Sequence, residues 1–165
     1  MSVFKAMEEA RIQEERKRQA REQEAASDAR ARYDVYKNSI STELARIDAL
    51  LEDEVRGAKE VGGKGRIDRL DGIASLEVVR RLWLSFPPRH GSIVKYEFAM
   101  EIDVRENEPV RIKALEKVGE VNPREMDPQL REDVGPIDHP DLTARIQRKL
   151  CEIIEAARAM FQTLR

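Results

Sequence analysis

Residues 33–58 read YDVYKNSISTELARIDALLEDEVRGA. Tyr33, Tyr36, Ile40, Leu44, Ile47, Leu51, Val55 and Ala58 recur at spacings of three and four, with mostly charged and small polar residues between them. This is a single apolar stripe along a helix. The pattern closes after eleven residues, a period that favours a straight or slightly right-handed pairing over a heptad supercoil. A helix of this length extends about 39 Å, more than a small domain covers. The stripe therefore predicts self-association, with Tyr33, Tyr36, Ile40, Leu44, Ile47, Leu51 and Val55 as the seam of a homodimer. The same spacing also suits a helix folded back on its own head, and it distinguishes neither that arrangement nor parallel from antiparallel pairing.

Upstream, residues 5–32 are dominated by Glu, Arg, Gln and Ala, all good helix formers. Glu8–Arg11, Glu14–Arg18 and Arg18–Glu22 stand three or four residues apart and support a solvated helix. Apolar residues here reduce to Val3, Phe4, Met7, Ile12 and alanines. Residues 1–60 thus read as a charged helical arm. The cluster Gly62-Gly63-Lys64-Gly65 then predicts a glycine-rich neck over residues 61–72. It is no phosphate loop: Ala58 stands where the first glycine belongs, Gly65 stands where a hydroxyl residue belongs, and a helix precedes it.

Residues 73–165 read as a small α+β head. Residues 73–86 are rich in β-formers and end at Pro87, Pro88 and Gly91. Val94, Tyr96, Phe98, Met100, Ile102 and Val104 alternate with Lys95, Glu97, Ala99, Glu101 and Asp103, which predicts a strand with one buried and one wet face. A third strand begins with Val110, Ile112 and Ala114 and runs toward Val121. Short turns between the three imply an antiparallel meander. Residues 122–141 carry Pro123, Pro128, Pro136 and Pro140 and read as a long connection, a place to look for a partner site. Leu142, Ile146, Leu150, Ile153, Ala157, Phe161 and Leu164 then stripe a last helix that packs on the sheet.

Charged residues make up 38% of the chain and aromatics 5%, which fits an arm joined to a modest core. The 30 basic and 32 acidic residues leave a net charge of −2, so no overall basic field draws nucleic acid or an anionic membrane. Cys151 is the only cysteine, which excludes an intrachain disulfide and a cysteine-based zinc site. No secretory leader or membrane-length apolar run is legible, and a cytoplasmic location is expected.

Catalytic chemistry finds little footing. His90 and His139 both lie beside prolines, and Asp138, His139 and Asp141 suit the start of a helix better than a metal site. Cys151 has no histidine partner in the pattern, and no nucleophile elbow is present. No cofactor, metal or catalytic residue is expected. The expected function is a non-enzymatic assembly or adaptor protein that dimerises through the arm and binds another protein through the head. Trp83, Phe86, Arg89 and His90, at one end of the sheet, are candidate partner contacts. The alternative is a nucleic-acid-associated accessory protein whose phosphate contacts come from Arg16, Lys17, Arg18 and Arg21 in the arm and Lys64, Arg66 and Arg69 in the neck.

Overall fold

The computed structural model describes residues 2–88 and 94–164. Helix α1 (Val3–Ser39) leads into α2 (Ser41–Glu60). Four long strands follow, β1 (Lys64–Gly72), β2 (Glu77–Ser85), β3 (Tyr96–Arg105) and β4 (Arg111–Val118). Two short strands, β5 (Arg124–Glu125) and β6 (Glu132–Asp133), flank a 3-10 turn at Pro128–Leu130, and α3 (Leu142–Thr163) closes the chain. The fold is α+β. Its antiparallel sheet runs β1-β2-β3-β4, and β5 and β6 both pair with the outer edge of β4.

The sheet is larger than the expected three-stranded meander. Residues 64–72, expected as a neck, form a strand paired with β2 over its whole length. The glycines that suggest flexibility are sites of close approach. A Cβ on Gly63 would lie 2.4 Å from the Ser85 carbonyl oxygen, and one on Gly65 would lie 3.0 Å from the Val55 Cα of α2. Residues 73–86 are not one strand either. Residues 73–76 turn the chain from β1 into β2, with the Ser75 hydroxyl donating to the Gly72 carbonyl.

The apolar stripe of residues 33–58 lies inside the head. Tyr33, Ile40, Leu44, Ile47 and Leu51 are buried, as is Tyr36, and Val55 and Ala58 pack against the same cluster. α2 covers the β1–β2 half of the sheet and α3 covers the β3–β4 half. Tyr96, Phe98, Met100, Ile102 and Val104 of β3 and Ile112 and Ala114 of β4 face them, together with Leu142, Ile146, Leu150, Ile153 and Ala157 of α3. The side chains expected as the seam of a homodimer are therefore covered by the chain's own sheet, Val55 only in part. Burying a large aliphatic is worth about 1.5–3 kcal/mol, and the sheet supplies that burial without an oligomer.

The helix also divides at Ile40, whose backbone leaves the helical region (φ −108°, ψ 13°). The Ser39 hydroxyl donates to the Tyr36 carbonyl at 2.6 Å, competing with the Ile40 N–H, which reaches the same oxygen at 3.3 Å. α2 restarts with Leu44 N–H donating to the Ile40 carbonyl at 2.9 Å.

Three charged groups are built into the core layer. Arg80 is 3% exposed beneath α2 and donates to Asp48 at 2.7 Å. Lys149 of α3 meets Glu132 at 3.0 Å and Glu152 at 2.5 Å, tying the helix to β6. Glu116 accepts from Arg124 at 2.8 Å. Arg80 and Arg81 point to opposite faces, as alternation requires, and Arg81 reaches Glu101 at 2.6 Å.

These pairs give a pH dependence. The bond from Lys149 outweighs burial and holds the Glu132 carboxyl below its ordinary range. Burial alone would raise Asp71, but the neighbouring Tyr33 hydroxyl, Lys37 and Arg80 bring it below its ordinary range. Groups lowered on folding contribute stability above their unfolded pKa and lose it as pH falls through the folded one. Asp103 acts in the opposite sense, because burial and Glu77 raise it. Thermal melts are expected to be flat near neutrality and to fall below about pH 4. Glu132→Gln should reduce that fall. An unchanged acid limb would show that this pair contributes nothing.

Candidate functional site

Two features stand out against a head whose charges are otherwise largely paired. The first is the arm. From Ser2 to Arg32 every residue is exposed except Glu8 and Ala29, which are half-buried. The thirty residues before Tyr33 therefore project about 45 Å of helix from the head. Lys5–Glu9, Glu8–Arg11, Glu15–Arg18 and Arg18–Glu22 line the arm with ion pairs at one-turn spacing. Each adds only a few tenths of a kcal/mol, enough to favour helix without a covering surface. At its tip Val3, Phe4 and Met7 are 75%, 75% and 68% exposed. Positions 3, 4 and 7 adjoin on a helix, so they form one apolar patch.

The arm's base is fixed. Lys37 bonds Asp71 of β1 at 3.1 Å, and Arg30 and Lys37 both lie over the Tyr33 ring, at 5.8 and 5.6 Å. Tyr33 is fully buried. Burial, with Asp71 nearby, raises its pKa well above the ordinary tyrosine value.

The second feature is an open groove of about 760 Å³ beside the break at Ile40. It lies between that break, the β3–β4 turn and the proline-rich connection, where Ile137 and Asp138 line it. Glu43, Glu106 and Asp138 border it. Among the described residues, none of the three has a cationic partner. Tyr36 also lines the groove, is 7% exposed, and its hydroxyl has no hydrogen-bond partner. Its pKa is pushed up to about 12, by burial first and then by Glu106 and Asp103.

The expected partner contacts do not form one surface. Trp83 is 2% exposed on the helix-free face of the sheet, where Arg66 stacks on its ring at 4.9 Å and its indole N–H donates to Asp68 at 2.9 Å. It is a covered residue. Phe86 is half-buried on the other side, with ring centroids 5.1 Å from Phe98 and 5.4 Å from Phe161. Arg89 and His90 lie outside the described residues.

The helix-free face is not wet, as the alternation of β3 suggests. Trp83, Ala99 and Leu115 form a buried strip there. Long charged side chains cover it: Arg66 reaches Glu97 at 2.9 Å, and Lys113 reaches Glu101 at 2.7 Å. Glu97 and Glu101 are themselves buried.

Two of the three basic groups of the expected neck are engaged within the chain, and Lys64 is exposed. Arg66 pairs with Glu97, and Arg69 meets Glu52 at 3.2 Å. At the start of α3 the Asp141 N–H donates to His139 Nδ1 at 3.0 Å, and the Arg145 guanidinium lies 3.0 Å from Nε2. The histidine ring, and no aspartate side chain, thus organises this helix start. Among the described residues no group of His, Cys, Asp and Glu side chains is arranged to hold a metal ion. Cys151 is exposed on α3. None of the described helices is long and apolar enough to cross a membrane.

The class defined by these features is a two-layer α+β head with a projecting helical arm. No protein-family profile matches the chain, and no curated protein or solved structure is significantly similar to it.

Proposed function

We propose that the chain is a non-enzymatic adaptor whose head anchors a helical arm and whose arm tip is the contact for another protein. The single observation that carries this reading is the exposed patch of Val3, Phe4 and Met7 at the far end of an otherwise charged helix. Nothing in the packing of the head calls for large apolar residues there. A short apolar helix face is what a partner's groove receives, with anchors one turn apart. Reach supports the reading too, since about 45 Å of helix carries the patch clear of the head. The balanced charge of the arm weakens the nucleic-acid alternative: Arg18 is paired with Glu15 and Glu22, and Arg16, Lys17 and Arg21, which form no ion pair among the described residues, are interleaved with acids.

The test uses proximity cross-linking in cells with the full chain and with a Phe4→Glu/Met7→Glu variant. The variant is expected to keep the melting temperature within about 2 °C, because neither residue touches the core. It should lose the proteins cross-linked through the tip, as should a chain lacking residues 2–29. If the variant retains the same cross-linked proteins, the arm is not the binding element.

A further inference from the structure

We propose that the groove at the helix break binds an arginine-bearing segment of a partner protein, with Tyr36 as its buried hydrogen-bonding group. Two independent observations meet there. The Tyr36 hydroxyl is enclosed and unpartnered, and Tyr36 and Glu106 both line the groove. A buried hydroxyl without a partner is costly, and a site that leaves one is completed by a ligand that bonds it. The same groove is lined by Glu43, Glu106 and Asp138, which have no cationic partner among the described residues, while Arg105, the cation in its lining, is engaged by Glu77 and Asp103.

The ligand chemistry follows from the donor set. The acids come from three separate segments, α2, the β3–β4 turn and the connection, and they converge on no metal geometry among the described residues. A guanidinium presents five N–H donors in a planar fork and serves several separated acceptors at once. Ile40 is buried along the groove and Ile137 is half-buried, which gives the methylene stem of such a side chain an apolar floor. The size suits a peptide segment better than a single ion. This inference shares with the proposed function only the premise that the partner is a protein; it does not depend on the arm.

The probe is a fluorescein-labelled Gly-Ser peptide carrying three arginines, compared with the same peptide carrying citrulline. Anisotropy is followed with the full chain at low and moderate salt. The arginine peptide is expected to bind and the citrulline peptide not to bind. Tyr36→Phe should weaken binding about fivefold, the loss of one hydrogen bond, while the melting temperature holds or rises because a stranded hydroxyl is gone. Glu43→Gln with Asp138→Asn should weaken binding further and flatten its salt dependence, whereas Glu120→Gln and Glu155→Gln, exposed acids elsewhere, should leave it unchanged. The proposal is overturned if the arginine peptide fails to bind, if Tyr36→Phe binds as the parent does, or if the distant acids matter equally. Those outcomes leave the arm-tip reading intact, because that reading is tested by Phe4 and Met7.

Discussion

Replacing Leu44 and Leu51 with glutamate is expected to unfold the head. Both side chains are buried, Leu51 completely, between α2 and the sheet. A carboxylate there has no partner. It must protonate or draw water inside, and either costs several kcal/mol. Two such changes approach the roughly 5–15 kcal/mol that holds a small domain together. Circular dichroism and thermal melts should show loss of the cooperative transition, with the sheet signal lost as well. Leu51→Ala gives a graded version, a loss of about 2–5 kcal/mol with the fold retained. A stripe acting as an intermolecular seam would behave otherwise: the double glutamate variant would be a folded, soluble monomer.

The second large effect is expected at Arg80. Its side chain is almost wholly enclosed, donating to Asp48 on α2 and lying 3.9 Å from Asp71 on β1. Arg80→Ala leaves Asp48 facing an apolar gap and removes one of the cations beside Asp71. Breaking a buried pair from one side costs about 3–5 kcal/mol, and the partial exposure of Asp48 places the expectation near the lower figure. Denaturant melts of Arg80→Ala, Asp48→Leu and the double variant Arg80→Met/Asp48→Leu separate the terms. The double variant should recover much of the loss, because no charge is then stranded. If Arg80→Ala alone melts like the parent, this buried pair does not hold α2 to the sheet.

The periodicities were the legible part of the fold. Spacings of three and four in residues 33–58 and in α3, and alternation in β3, identify the side chains that face the core between helices and sheet, but not that Glu97, Ala99 and Glu101 on the other side of β3 are buried too. They could not identify what buries them, because a helical stripe is written the same way for a sheet, a second helix or another chain. Residues 64–72 form a strand for a different reason. Gly63 and Gly65 are small because Ser85 and Val55 come close, and one sequence does not distinguish that requirement from flexibility. β1 itself has a weak signature, since Arg66 and Asp68 on its outward face cover Trp83.

The candidate site was less legible. Phe4 and Met7 were visible as stray apolar residues in a charged helix, but their exposure depends on where the docked part of the helix begins. The groove joins Tyr36 and Glu43 to Glu106 and Asp138, a juxtaposition created by the meander and the long connection. Tyr36 carries a signal beyond its place in the apolar stripe. A tyrosine in a stripe brings a hydroxyl that needs a partner, and that question could have been asked from the sequence.

In this structure the chain covers its own stripe and leaves its arm bare. Hydrogen–deuterium exchange of the full chain, followed over a wide range of protein concentration, tests it most directly. The expected result is strong protection of residues 44–58 and of β2 and β3, rapid exchange over residues 3–29, and the same pattern at every concentration. Protection of residues 44–58 that fades on dilution would contradict the account, because the cover would then come from a second copy.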